Sequence, residues 1–299
     1  MLPAQIFTKA SKDHKFLLVH YVQDSFFLVA MIAALIYLRS HYSVQFHFTH
    51  LIVLALAIPF GWMIASFLHN TGHGNIKNKK LNRLVGEFCG HFVGYGYSNF
   101  ILVHSLHHKY SDHEYDPVSP EGMSFIRFLI SPTRYMIKHT KAYLRMRHGD
   151  KKSYELILGT QTAVFYLNLI LRQFAWFLLF GPTLYLAFYL PAVMSNILIL
   201  AHINYVCHRD LEDGSVEIYN LNHNLYYKIA NFVTIGGYYH KSHHLSLGLF
   251  DPRDYKNEKL DRPLVTVEAS LAKTKQKTKK YNNILLQYFN LNNVWGALE

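Results

Sequence analysis

Between Ser40 and Ile76 the sequence holds no Asp, Glu, Lys or Arg, and between Gln173 and His208 it again holds none. Charge is scarce overall, at 16% of 299 residues, where a globular domain carries about a quarter. With 51% apolar residues, that scarcity excludes a disordered chain and an ordinary solvated surface. Cysteine is scarce too. Cys89 and Cys207 form neither a CxxC pair nor a disulfide framework, so a reducing environment with both thiols packed inside is expected. No internal repeat is present, and the one low-complexity stretch, Lys273 to Lys280, reads as a solvated tail.

The uncharged runs are of membrane scale, since a helix needs about 20 mostly apolar residues to cross a bilayer. Four spans are expected, at about 16–38, 48–68, 156–179 and 183–203, with Gly181 and Pro182 turning the last two into a hairpin. The expected fold is an all-α membrane protein, a single domain over 1–299, with four transmembrane helices and a cytoplasmic helical cap. The first run is too long for the apolar part of a cleaved signal and contains His20 and Asp24, so it should be retained. Asp24 would cost about 3 kcal/mol facing lipid and should face the bundle. Four spans put the N-terminus, residues 69–155 and residues 204–299 on one side. That side carries 28 of the 30 Lys and Arg; the other offers only Arg39, and Arg172 lies within a span. The positive-inside rule therefore places both termini and both polar segments in the cytoplasm, at a bacterial inner membrane or the endoplasmic reticulum. The net charge of +11 is largely this topological signal, and no nucleic-acid motif accompanies it. Met123 to Arg147 suits a helix lying in the interface. Leu84 to Val103, with Glu87, His91 and four glycines, suits a partly re-entrant or interfacial helix.

What the sequence has in excess is histidine, at twenty copies. His69 and His73 are spaced by four; His104, His107 and His108 form an HxxHH box, and His240, His243 and His244 form another. One such box would arise by chance about 0.1 times in a chain of this composition. On a helix, positions i, i+3 and i+4 share a face, so each box is expected to present its rings to one centre. Burying eight such rings without partners would cost about 1–3 kcal/mol each, and a metal supplies the partner. Eight ligands exceed the coordination of one ion, so two ions are implied. His208, at the same level after the fourth span, is a candidate ninth ligand. His113 and His202 are the nearest outsiders, and His91 could line a cavity. His14, His20, His41, His47, His50, His139, His148 and His223 lack box spacing and read as surface or interface residues.

These motifs resemble the integral-membrane fatty acid desaturase and hydroxylase superfamily, whose members hold a di-iron centre with histidine boxes. The stretch HSLHHKYSDHEYDP, His104 to Pro117, follows the pattern HxxHHKxSxxxxDP of acyl desaturases similar to stearoyl-CoA desaturase. GGYYHKSHH, Gly236 to His244, resembles their glycine-tyrosine-HxxHH box, and Asn204 with His208 fits their NxxxH element. The first box is HxxxH, as in acyl-lipid desaturases and related hydroxylases, where acyl-CoA delta-9 enzymes have HxxxxH. Asn204-Tyr-Val-Cys-His208 also resembles the NYxEH element of membrane alkane hydroxylases, with Cys207 in place of Glu. The resemblance spans most of Phe48 to Tyr255.

The resemblance implies two iron ions held by His69, His73, His104, His107, His108, His208, His240, His243 and His244, with Asn204 reaching one of them through water. It implies an oxidoreductase that uses dioxygen to desaturate a fatty acyl chain carried as a lipid, a CoA or acyl-carrier-protein ester, or a free acid. Carboxylates near the boxes, Glu87, Asp112, Asp116 and Asp251, are candidates to hold the second nitrogen of ligating histidines. Neither an HPGG haem signature nor an iron–sulfur cysteine set is present, so the two electrons come from a separate donor such as a ferredoxin or cytochrome b5. The basic cytoplasmic face would suit an acidic one. Alternatives on the same centre are hydroxylation, or oxidative decarboxylation to an alkene. A zinc-dependent membrane hydrolase is disfavoured because His69-Asn-Thr-Gly-His73 lacks the Glu of HExxH. A non-catalytic scaffold that keeps the boxes would bind metal without consuming oxygen.

Overall fold

In the computed structural model of the chain the described residues are 52–112, 116–120, 123–130, 138, 152–210 and 216–256, with scattered positions between 25 and 41. Asp24, His113, most of the expected first span, most of the expected interfacial helix and the tail after 256 lie outside them. The scattered positions are helical, and Asn168 Nδ2 donates to Ser25 Oγ at 2.9 Å.

The described chain runs through α1 (Ile52–His73), α2 (Lys79–Val93), α3 (Tyr97–Tyr110), α4 (Lys152–Leu184), a π-helical turn (Tyr185–Tyr189) and α5 (Leu190–Cys207). There follow β1 (His208–Asp210), β2 (Val216–Ile218), α6 (Leu225–Val233) and α7 (His240–Leu245). Among the described residues two helical stretches, Ile52–His73 and Thr162–Cys207, are long and apolar enough to cross a membrane. The second doubles back. Gly181 has non-helical dihedrals (φ 67°, ψ 168°), and beyond it Tyr185 donates to Gln173 Oε1 at 2.9 Å while Gln173 Nε2 donates to the Tyr189 hydroxyl at 3.2 Å. A straight helix would set residues 173 and 189 about 24 Å apart, so the chain reverses at Gly181 as the Gly-Pro pair leads one to expect.

α1 crosses α5 closely. Ser195 Oγ donates to the Ile58 carbonyl at 2.8 Å and Asn196 Nδ2 to that of Gly61 at 3.3 Å. Around this crossing Ile64, Leu68, Phe92, Tyr97, Trp176 and Tyr189 form a buried core that joins α1 to α5. Outward faces are apolar as well: Leu54, Leu56 and Ile58 on α1, and Leu167, Ile170 and Phe174 on α4, are all exposed. Contiguous apolar faces of this kind are suited to lipid contact.

Where a single helix is expected over Leu84 to Val103 there are two. α2 ends at Gly94, whose φ of 94° favours glycine, and α3 starts back after Gly96. The ring of Phe92 packs on Phe60 at 5.4 Å, and Phe60 lies nine residues before His69 on α1, roughly 13 Å along the helix. The α2–α3 hairpin thus dips to the middle of α1 and returns. Leu81, Leu84 and Phe88 are exposed along the outer face of α2.

Among the described residues one feature departs from an all-α architecture. After α5, β1 pairs antiparallel with β2, with His208 opposite Ile218. Asp213-Gly214 lies between them in sequence, a dipeptide common in hairpin connections. The pair is short and polar, and periodicity over three residues is too brief to read.

Candidate metal centre

All nine histidines expected to ligate are brought together, in two groups. His69, His73, His104, His108 and His243 form one, and His107, His208, His240 and His244 the other; within each group the candidate ligand atoms lie within 4.8 Å of one another. The groups abut, with the rings of His108 and His244 4.6 Å apart. His73 ends α1 and His69 lies one turn before it, and α3 and α7 supply a box each.

Each HxxHH box is divided between the groups, contrary to the expectation that one box serves one centre. His104 and His108 join the first group and His107 the second; His240 and His244 join the second and His243 the first. The reason is helical geometry. At 3.6 residues per turn, positions i and i+4 are about 40° apart around the axis, but neighbours i+3 and i+4 are about 100° apart. Adjacent histidines on a helix therefore face different centres.

The ring nitrogens meet tip to tip. In the first group Nε2 of His73 lies 2.7 Å from that of His104, and His104–His108, His108–His243 and His243–His69 follow at 3.1 Å each. In the second, His240 Nε2 is 3.0 Å from His208 and 3.2 Å from His244. A ring nitrogen has either one proton or one in-plane lone pair, so His104, His108, His240 and His243 cannot each satisfy two such neighbours well by hydrogen bonding. A shared cation satisfies all of them. Metal–imidazole bonds of about 2.1 Å at right angles set adjacent nitrogens about 3 Å apart. His107 Nε2 is buried and has no hydrogen-bond partner among the described residues. The donor set therefore fits two metal ions.

Two of the four named carboxylates orient rings of the second group. His107 Nδ1 donates to Asp116 Oδ2 at 2.9 Å, and His208 Nδ1 donates to Asp112 at 2.8 and 2.9 Å. With the proton held on Nδ1, each ring turns a bare Nε2 towards the group. Burial opposes charge on Asp112, but the adjoining His208 ring outweighs it and holds the carboxyl below its usual range. Burial likewise opposes charge on His107, yet Asp116 raises it overall. His104, His108, His240, His243 and His244 are held well below the ordinary imidazole value, by burial first and then by neighbouring rings. Both causes favour the neutral ring, the form a metal takes. Glu87 and Asp251 do other work: Glu87 pairs with Arg83, and Asp251 with Arg253.

A cavity of about 350 Å³ opens beside the histidines. His69, His104, His240 and Asn204 line it together with Tyr95, Phe100, Val103, Phe128, Ile197 and Leu200. Its walls are mainly apolar, the lining expected for an alkyl chain. His91 does not line it. That ring is buried against Arg172 on α4, because Arg172 Nε donates to its Nδ1. His202 joins neither group; its Nδ1 lies 2.6 Å from the Tyr238 hydroxyl. Both cysteines are buried free thiols.

Several supporting residues were not singled out from the sequence. Asn231 accepts from Tyr238 N at 2.9 Å and donates to the Leu221 carbonyl at 2.8 Å, and Asn220 accepts from Ser242 N at 3.1 Å and donates to its Oγ at 2.9 Å. They brace α7 and its box. A lone Asn carries no pattern by which to find it.

A family model described as fatty acid desaturase matches residues 45–249, more than half of the chain. No curated protein and no solved structure matches it. The chain belongs to the fatty acid desaturase family, and that membership makes it an oxidoreductase of fatty acyl chains in a lipid setting.

Proposed function

We propose that this member of the fatty acid desaturase family is a di-iron enzyme of the membrane that introduces a double bond into a fatty acyl chain. One observation carries the proposal: five and four histidines, in adjoining groups, border an apolar cavity. His69, His73, His104, His108 and His243 would hold one iron, and His107, His208, His240 and His244 the other, with Asn204 linked to one of them through water. When bound, the irons supply activation of dioxygen with two electrons from a separate donor.

The chain's own residues do the rest. Asp116 and Asp112 fix the protons of His107 and His208 on Nδ1 and so leave Nε2 to the metal. Phe100, Val103, Ile197 and Leu200 line a dry slot that holds an extended alkyl chain and excludes water from the reacting carbons. Ser66 Oγ, also in the lining, donates to the Thr234 carbonyl at 2.7 Å, so its hydroxyl is engaged by backbone.

The membrane reading is four spans, both termini and the histidine boxes cytoplasmic, in one domain over 1–299. It is supported by the reversal of Thr162–Cys207 at Gly181 and by burial of only 33% of each apolar window. The basic cytoplasmic face suits an acidic electron donor.

Fatty-acid profiling of cells expressing the chain beside a His107→Ala variant tests the proposal. A new unsaturated product, lost in the variant, is the expected result. A hydroxylated product alone would overturn desaturation, and no oxidised product under iron, oxygen and a competent donor would overturn the enzyme.

A further inference from the structure

The α2–α3 hairpin turns at Gly94, Tyr95 and Gly96 within the apolar interior. A helix leaves its last four carbonyls without intrahelical partners, and away from water each unsatisfied one is costly. Three carbonyls at the end of α2 are met from outside. Trp176 Nε1 donates to that of His91 at 3.1 Å, the Tyr189 hydroxyl to that of Phe92 at 2.7 Å, and Arg172 Nη1 to that of Gly94 at 3.0 Å. Arg172 and Trp176 belong to α4 and Tyr189 to the turn after it, so the α4–α5 hairpin is a socket for the end of α2.

Arg172 is the charged member of that socket and is 0% exposed. An ionised side chain in an apolar span is expensive, and its presence calls for a function. Its charge lies at the carbonyl end of α2, where the helix dipole favours a cation. Its Nε donates to His91 Nδ1 at 3.0 Å, which places the His91 proton on Nε2, 3.8 Å from Glu87. Arg172 therefore grips both the last turn of α2 and the Gly94 carbonyl beyond it. The two arms of the hairpin are themselves in contact, since a Cβ on Gly90 would come 2.2 Å from the Tyr97 nitrogen.

What the grip positions is the tip. Tyr95 lines the cavity, and its hydroxyl donates to Asn196 Oδ1 on α5 at 3.4 Å. His104 lines the same cavity from further along α3, and Tyr97 to His104 is two helical turns, roughly 10 Å. The cavity is therefore bordered both by the histidines and by Tyr95 at the tip of the hairpin. Arg172 does not line the cavity, yet it fixes the segment that carries Tyr95 into it and leads into the helix bearing His104, His107 and His108.

We propose that Arg172 is a positioning residue: gripping His91 and Gly94, it sets the depth of Tyr95 and so which carbons of the acyl chain lie against the histidines. The proposal rests on the desaturation reading. The apolar far end takes the methyl end of the chain, because the polar head has no partner there to match water.

The test compares wild type with Tyr95→Ala, Arg172→Gln and Arg172→Lys. Each is loaded with iron, its metal content is measured, and it is supplied with acyl chains of graded length; the double bond is located by mass spectrometry. Wild type is expected to give one main position. Tyr95→Ala, with the grip intact, should accept longer chains and move the double bond by one or more carbons towards the carboxyl end. Arg172→Gln should spread product over several positions with metal content unchanged, and Arg172→Lys, which keeps the charge, should partly restore the single position. Should Arg172→Gln not fold, Tyr95→Ala decides alone. Wild-type positions and chain lengths in the variants, with metal and turnover present, would overturn this inference and leave the desaturation reading standing. No unsaturated product from wild type would overturn both.

Discussion

Both carboxylate oxygens of Asp112 accept from Nδ1 of His208, at 2.8 and 2.9 Å. Asp112 holds this pose with a φ of 61°, a left-handed backbone that Asp tolerates better than most L-residues. Its N–H donates to Asp116 Oδ2 at 3.0 Å, the oxygen that also accepts from His107 Nδ1. The two carboxylates therefore form one rigid support. Both serve the four-histidine group, the one with fewer imidazoles and the greater need for strongly donating ligands.

Asp112→Asn and Asp116→Asn each keep the shape of the side chain and remove its charge. Each is expected to weaken metal binding by about 10–100-fold, with the loss confined to the four-histidine group. Competition with a chelator, read as metal retained per chain, should show one ion leaving early and the other at wild-type chelator concentration. Simultaneous loss of both ions would contradict this division.

Removing the metal should destabilise the protein, because nine converging ring nitrogens lose their common partner. At metal concentrations a hundredfold above Kd the linkage is worth about 2.7 kcal/mol per site. Thermal unfolding in detergent should move down on chelation and recover when ferrous ion is restored. An unchanged transition would mean the groups are held without metal.

Asn204 lines the same cavity as His240 but belongs to neither histidine group. Asn204→Ala is expected to retain its iron and lose about 10–100-fold in turnover, the range for groups that act on a metal from outside its ligand set. Iron loss comparable to that of a histidine variant would place Asn204 among the ligands.

Asn231 spans Tyr238 N and the Leu221 carbonyl from a site 2% exposed. Asn231→Leu strands both groups and should cost about 1–3 kcal/mol for each. Denaturation of the iron-loaded protein would show the loss, and a neutral result would mean water has replaced the amide.

The histidine pattern was legible because its spacing is local: i, i+3 and i+4 on one helix. Its division between two groups was implicit in the same spacing, since adjacent residues point about 100° apart, but only the packing of α1, α3 and α7 shows which ring goes where. The carboxylates were half legible. Asp116 stands nine residues from His107, whereas Asp112 stands 96 from His208, and nothing local separates them from Glu87 or Asp251. Arg172 stood out in sequence as a charge within an apolar run. Its partners, His91 and Gly94, are 81 and 78 residues away, so its role waits on how α2 re-enters the bundle. The reversal at Gly181 needed only a Gly-Pro pair, a local signal.

Metal analysis of the purified chain tests the two-iron centre most directly, set beside His73→Ala from the five-histidine group and His208→Ala from the four. Wild type should hold about two irons per chain and each variant about one, because each change opens a different group. One tightly held zinc with no iron, or a single ion abolished equally by both variants, would contradict the two-iron centre.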